Sequence, residues 1–111
     1  MENFIKVKVG KKEYGFKFTM ITLERLAKRS EKEYHELFDY LAGEPFAALN
    51  NIFICANAVY NQGEEMSEYE MDEVIDKMSG EQIVQVRDAF RDSLVRMMEK
   101  FQSFTSEAKK K

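Results

Sequence analysis

The stretch YGFKFTMITLERLAKRS, residues 14–30, changes its period at Thr19. Before that point Tyr14, Phe16 and Phe18 alternate with Gly15 and Lys17, the two-residue repeat of a strand with one apolar face. After it, Met20, Leu23, Leu26 and Ala27 recur at helical spacing. Thr19 stands where a helix needs an N-cap, since its hydroxyl can accept from a free backbone N–H of the first turn. A strand that runs straight into a helix leaves no loop between them on which to mount chemistry.

Upstream, residues 3–18 read as a β-hairpin. Ile5, Val7 and Val9 point one way, and Phe4, Lys6 and Lys8 the other. Gly10-Lys11-Lys12-Glu13 supplies the turn, with Gly10 free to take a positive φ. The apolar rows of the two strands therefore meet. A lone hairpin is marginal in water, so this face requires helices or a second sheet against it.

Downstream the pattern is helical. Ser30-Glu31-Lys32-Glu33 has the form of a capping box and predicts a short helix with Tyr34, Leu37, Phe38 and Leu41 inside. Gly43 fits a left-handed C-terminal cap and Pro45 the first turn of the next helix. From Pro45 to Asn61, Phe46, Leu49, Ile52, Phe53, Ala56, Val59 and Tyr60 form a broad apolar surface. Ile54, Cys55 and Ala58 extend it nearly all round, the mark of a helix covered on most sides. Asn50, Asn57 and Asn61 share one stripe of it and need water or partners. Gly63 ends this helix.

Ser67-Glu68-Tyr69-Glu70 is a second capping box, leading into Met71, Val74, Ile75 and Met78. Ser79-Gly80-Glu81-Gln82 is a third, and opens a last helix over residues 80–104 with the stripe Ile83, Val86, Phe90, Leu94, Met97, Phe101 and Phe104. The expected fold is mainly α with a short N-terminal β-hairpin (α+β), a bundle of about five helices. It divides into a hairpin (3–18), a helical body (19–104) and a flexible basic tail (105–111) that frays from Glu107 onward.

The chain's 111 residues suit one domain, and 44% hydrophobic against 33% charged residues places it among globular rather than disordered chains. No apolar run approaches the roughly 18 residues of a membrane span, and the first residues, MENFIKVKVGKKE, have no signal-peptide core. Cys55 is the sole cysteine, which excludes an internal disulfide and fits a reducing compartment. A cytoplasmic protein is expected. The net charge of -3 argues against a nucleic-acid surface, which draws its affinity from lysine and arginine. The one dense basic run, Lys109-Lys110-Lys111, reads as a solvated tail.

Catalytic chemistry finds little footing. His35, the only histidine, lies in EYHEL and reads as a surface residue. A Cys55–His35 nucleophile pair is disfavoured because Cys55 sits in an apolar run, as an inert core thiol does. The acidic stretch EEMSEYEMDEVIDK, residues 64–77, lacks the central glycine of an EF-hand loop and carries Val74 and Ile75 at helical spacing. It reads as a solvated helix face. Phosphate-cradling glycine patterns are missing. The expectation is a non-enzyme with no catalytic residues, metal or cofactor.

What remains is surface for other proteins. A last helix of 25 residues is roughly 37 Å long against roughly 26 Å for the 17-residue central one, so one end can overhang. Its last turns hold Met97, Met98, Phe101 and Phe104, an adaptable contact surface if exposed and the closure of the core if not. The hairpin offers a second device: the strand of Ile5, Val7 and Val9 is an edge that can pair with another copy, with Lys6, Lys8 and Lys17 opposing uncontrolled pairing.

The hairpin, the run YGFKFT into MITLERLAKRS, and then FDYLAGEPFAALNNIFICANAVYNQGEEMSEYEMDEVIDKM resemble the tail assembly chaperones of long-tailed bacteriophages and prophages. The likeness covers residues 4–78, and the C-terminal helix matches in general character. In that family a two-stranded segment leads into an all-helical body. The resemblance implies a non-catalytic protein that binds the long helical tape measure protein, keeps it soluble, and helps recruit tail tube protein subunits before release. It implies homo-oligomers as an option, and action in the cytoplasm of the bacterial host without nucleic acid or membrane. Many members are made in two lengths by a translational frameshift, and the codons of the terminal lysines are a place where one can occur. Two other classes compete. One is a structural tail component, which stays in the finished particle. The other is a small nucleic-acid-binding regulator using Arg25, Lys28 and Arg29 of ERLAKRS.

Overall fold

The computed structural model describes residues 4–33, 36 and 45–110, with the backbone alone for 45–48, 98 and 101–110. In chain order the elements are strands β1 (Phe4–Val9) and β2 (Lys12–Lys17), then helices α1 (Met20–Ser30), α2 (Pro45–Tyr60), α3 (Glu68–Lys77) and α4 (Gly80–Lys110). The expected architecture of a hairpin on a mainly helical body is present, with four helices among the described residues where about five were expected. The predicted helix of Tyr34, Leu37, Phe38 and Leu41, with His35 and Gly43, lies outside the described residues.

The hairpin closes on the two-residue loop Gly10-Lys11, with Val9 opposite Lys12, Val7 opposite Tyr14 and Ile5 opposite Phe16. Gly10 takes φ 66, as the first position of a tight hairpin turn requires. Residues directly opposite share a face, so Ile5, Val7 and Val9 join Tyr14 and Phe16 on the inner side. Val7, Val9, Phe16 and Phe18 are buried there. Their cover is helical. Phe16 meets Phe53 of α2 with ring centroids 5.2 Å apart, and Phe18 meets Phe90 of α4 at 6.1 Å. Each fully buried aromatic contributes about 1.5–3 kcal/mol of transfer free energy.

The strand-to-helix junction differs from the simple cap. Thr19 has the extended backbone of an N-cap, but its buried hydroxyl oxygen makes no hydrogen bond. Thr22, buried one turn on, supplies the link instead. Its Oγ1 accepts from the Thr19 N–H at 3.2 Å and donates to the Lys17 carbonyl at 2.6 Å. The strand end and the first turn of α1 are thus joined through one hydroxyl.

Ser30 is the last residue of α1 rather than a cap for another helix. Its backbone is still helical and its hydroxyl donates to the Leu26 carbonyl at 2.6 Å, one turn back. Glu31 then turns left-handed (φ 56), and the N–H groups of Glu31 and Lys32 donate to Lys28 and Ala27, the paired bonds of a Schellman ending. The ending of α2 follows the same rule. Gln62, not Gly63 alone, takes positive φ (60), and the Gly63 N–H donates to Ala58 at 2.7 Å.

Helix α2 is the centre of the molecule. Residues 52–58 are buried without interruption, as expected of a helix with neighbours on most sides. The two later capping boxes form as read. Ser67 and Glu70 exchange bonds at the start of α3, and Ser79 and Gln82 at the start of α4. On α4, Val86, Phe90 and Leu94 are buried, with Ile83 and Met97 partly so. The helix continues to Lys110, past the expected limit of residue 104 and through most of the tail expected to fray. No glycine or proline interrupts SFTSEAKK, and lysines at the C-terminal end complement the helix dipole.

Candidate protein-binding site

Both edges of the hairpin are approached by helix side chains, and this fixes which backbone groups remain open. The Asn57 side-chain amide of α2 donates to the Gly15 carbonyl at 2.9 Å, and Thr22 of α1 takes the Lys17 carbonyl. On the other side, the Gln82 amide of α4 donates to the Lys8 carbonyl at 2.7 Å. The outward-facing residues are therefore Glu13, Gly15 and Lys17 on β2 and Phe4, Lys6 and Lys8 on β1, since backbone groups alternate between ladder and edge along each strand. This corrects the expected oligomer edge. Ile5, Val7 and Val9 direct their backbone groups to β2 and their side chains to the core, where Val7 and Val9 are 3% and 7% exposed. The part of the β1 edge left for another chain is Phe4 and Lys6.

Asn57 sits in a short relay. It accepts from the Asn61 amide at 3.0 Å while it donates to Gly15, so the asparagine stripe on α2 finds its partners within the protein. Asn50, on the same stripe, donates to the Glu68 carbonyl and to the Asp72 carboxylate of α3. Tyr60 packs flat over Gly15 and against Phe4, with ring centroids 5.6 Å apart for the aromatic pair.

Between β2 and α3 lies a cleft of about 650 Å³. Its strand wall is Lys12–Gly15, its floor holds Asn57 and Asn61, and its helix wall holds Glu70, Glu73, Val74 and Lys77. Sequence reading missed it because the walls are about sixty residues apart in the chain, and α3 turns toward β2 only through the packing of both on α2. The one signal was the asparagine stripe, which marked the face of α2 on which polar neighbours converge.

Of the expected contact surface on α4, only Met97 has a described side chain. Met97 is half-buried and packs against the core, while the side chains of Met98, Phe101 and Phe104 lie outside the described residues. Val84 and Val95 of α4 are exposed (41% and 45%), as are Ile21 of α1 and Tyr69 of α3.

The basic cluster of α1 is engaged internally. Arg25 pairs with Glu65 at 3.0 Å, and Arg29 pairs with Glu65 at 3.2 Å and Glu68 at 3.1 Å while its Nε donates to Asn51 at 2.8 Å. These two arginines hold α1 to the segment that opens α3. Cys55 is buried, and desolvation pushes its thiol from an ordinary 9.0 up to about 11, with Arg29 acting weakly in the opposite sense. A thiol held protonated at neutral pH is a poor nucleophile.

Residues 68–77 form the ordinary acidic helix α3 rather than a calcium loop, and among the described residues no group of three or more histidine, cysteine or carboxylate side chains is placed to hold a metal ion. Among the described residues no helix is long and apolar enough to cross a membrane. No protein-family model, curated protein or solved structure matches the chain.

Proposed function

We propose that this chain is a non-catalytic phage or prophage tail assembly chaperone, which binds the tape measure protein and helps recruit tail tube subunits in the host cytoplasm. The observation that carries the reading is the run of residues 4–78 that resembles such chaperones. The described parts of that run are β1, β2, α1, α2 and α3, packed around one core, while residues 34, 35 and 37–44 lie outside the described residues. Helix α4 adds 31 residues, about 46 Å of rod, against 16 residues and about 24 Å for α2. Beyond Met97, which packs on the core, its last turns carry Met98, Phe101 and Phe104, the surface assigned to the tape measure protein. Methionine and phenylalanine suit repeated contact of modest affinity, and many copies along one long partner supply avidity.

The test is co-expression with the tape measure protein of the same genome. The expected result is a tape measure protein that is soluble with this chain and insoluble without it, and the two co-purify. Substituting Phe101 and Phe104 by serine weakens the complex without unfolding the body. A tape measure protein that stays insoluble while this chain elutes alone overturns the reading. Recovery of the chain from mature particles would replace it with that of a structural tail component.

A further inference from the structure

Helix α4 outruns the body that holds it. Among the described residues, Met97 is the last of its side chains to pack on the core, yet the helix continues to Lys110. The stretch from residue 98 to Lys110 adds about 20 Å of rod. The protein is 55 Å long against 30 and 25 Å across, so a helix of about 46 Å lies along its length. Phe90, Leu94 and Met97 follow the spacing of a heptad seam, and residue order carries that spacing on through Phe101, Phe104 and Ala108. With Leu94, Phe101 and Ala108 at position a and Phe90, Met97 and Phe104 at position d, the flanking g positions fall on Lys100 and Glu107.

We propose that a second copy of this chain pairs with the end of α4, as a short antiparallel coiled coil about a two-fold axis. The charges favour this occupant and fix its register. Reversing one helix layers each a position against a d position and brings the g flanks together. Phe101 then meets Phe104 of the second copy, Met97 meets its Ala108, and Lys100 stands beside its Glu107, each contact occurring twice by symmetry. A shift of one heptad in either direction sets Lys100 against Lys100 or Glu107 against Glu107. A parallel pair sets Lys100 against Thr105 and gains no ion pair. The overlap also ends where each body begins, at Met97 and the facing Ala108, so neither body obstructs the other. The same turns are assigned to the tape measure protein, which would displace the second copy. The pairing itself stands apart from the chaperone reading and is tested on the chain alone.

Sedimentation equilibrium of the full chain across a wide concentration range reads the dimer. A monomer–dimer equilibrium is expected for the parent. Lys100→Glu and Glu107→Lys each set like charges together and weaken the dimer about tenfold. The double variant Lys100→Glu, Glu107→Lys restores the parent affinity, because the exchange rebuilds both ion pairs between copies. Within one helix the two residues are seven positions apart and do not face each other at salt-bridge spacing, so the rescue reports the contact between copies. A monomer at every concentration, a dimer indifferent to the single reversals, or no rescue in the double variant overturns the proposal. A Phe101→Ser variant with a lowered melting temperature and an unchanged dimer constant assigns the seam to the chain's own core and overturns it as well.

Discussion

The side-chain amide of Asn57 donates to the carbonyl of Gly15 at 2.9 Å across a separation of 42 residues, in a fully buried setting. This bond joins the middle of the molecule to the edge of its hairpin. It is also the reason a polar residue is tolerated in the most buried run of α2, since a buried amide without a partner costs about 1–3 kcal/mol.

Replacing Asn57 with leucine, which keeps the number and branching of its side-chain heavy atoms, removes the donor to Gly15 and the acceptor for Asn61 together. The expected loss is about 2–3 kcal/mol, because a buried carbonyl is left without a partner. Urea unfolding of the variant beside the parent measures it. A change below a few tenths of a kcal/mol would show that water serves Gly15 equally well.

Gly15 is needed for space rather than for backbone freedom. A Cβ at this position would stand 2.3 Å from two carbons of the Tyr60 ring. Gly15→Ala is expected to displace that ring and cost about 1–3 kcal/mol, the usual range for overpacking. Combining it with Tyr60→Ala relieves the clash, so the double variant loses less stability than the sum of the two single ones. Additive losses would place the ring elsewhere.

Arg29 binds Asn51, Glu65 and Glu68 at once. Arg29→Ala is expected to destabilise by about 1–2 kcal/mol, above the usual value of an exposed pair because the guanidinium is largely covered and shared among three partners. The difference from the parent shrinks as salt rises, because the carboxylate pairs are partly exposed. Thermal melts at low and high salt measure both effects. A loss equal at both salt levels would assign the stability to packing of the arginine stem.

For Cys55 the raised pKa sets the sign of a pH effect. The folded protein holds the proton to about 11 while the unfolded thiol releases it near 9.0, so the folded state binds more protons between those values. Stability from this group is intact below pH 9, falls as pH rises toward about 11, and levels off above it. Cys55→Ala lacks that part of the alkaline decline, which chemical unfolding across this range would show. In the same sense, a thiol reagent at pH 8 labels Cys55 slowly in the native protein and quickly in urea. Fast native labelling would contradict the burial.

Local elements were readable in the chain because their causes are local. The change of period at Thr19, the capping boxes at Ser67 and Ser79, and the all-round apolar run of α2 each depend on residues within a few positions of one another. Ser30 had the same box spacing and served a different end, because it is the last helical residue of α1 and Glu31 after it turns left-handed. Spacing records which bond is available, and geometry decides which one forms.

Residue order determined by itself that a two-stranded hairpin passes directly into a helical body, that α2 is enclosed, and that a thiol at position 55 lies within apolar neighbours. Tertiary structure alone decided which hairpin edge stays open, that Arg25 and Arg29 are spent on Glu65 and Glu68, and that α3 stands across a cleft from β2. The physical reason is range. Periodicity and capping act over one or two turns, whereas Asn57 to Gly15, Gln82 to Lys8 and Arg29 to Glu68 join groups that only the packing of whole elements brings within hydrogen-bonding distance.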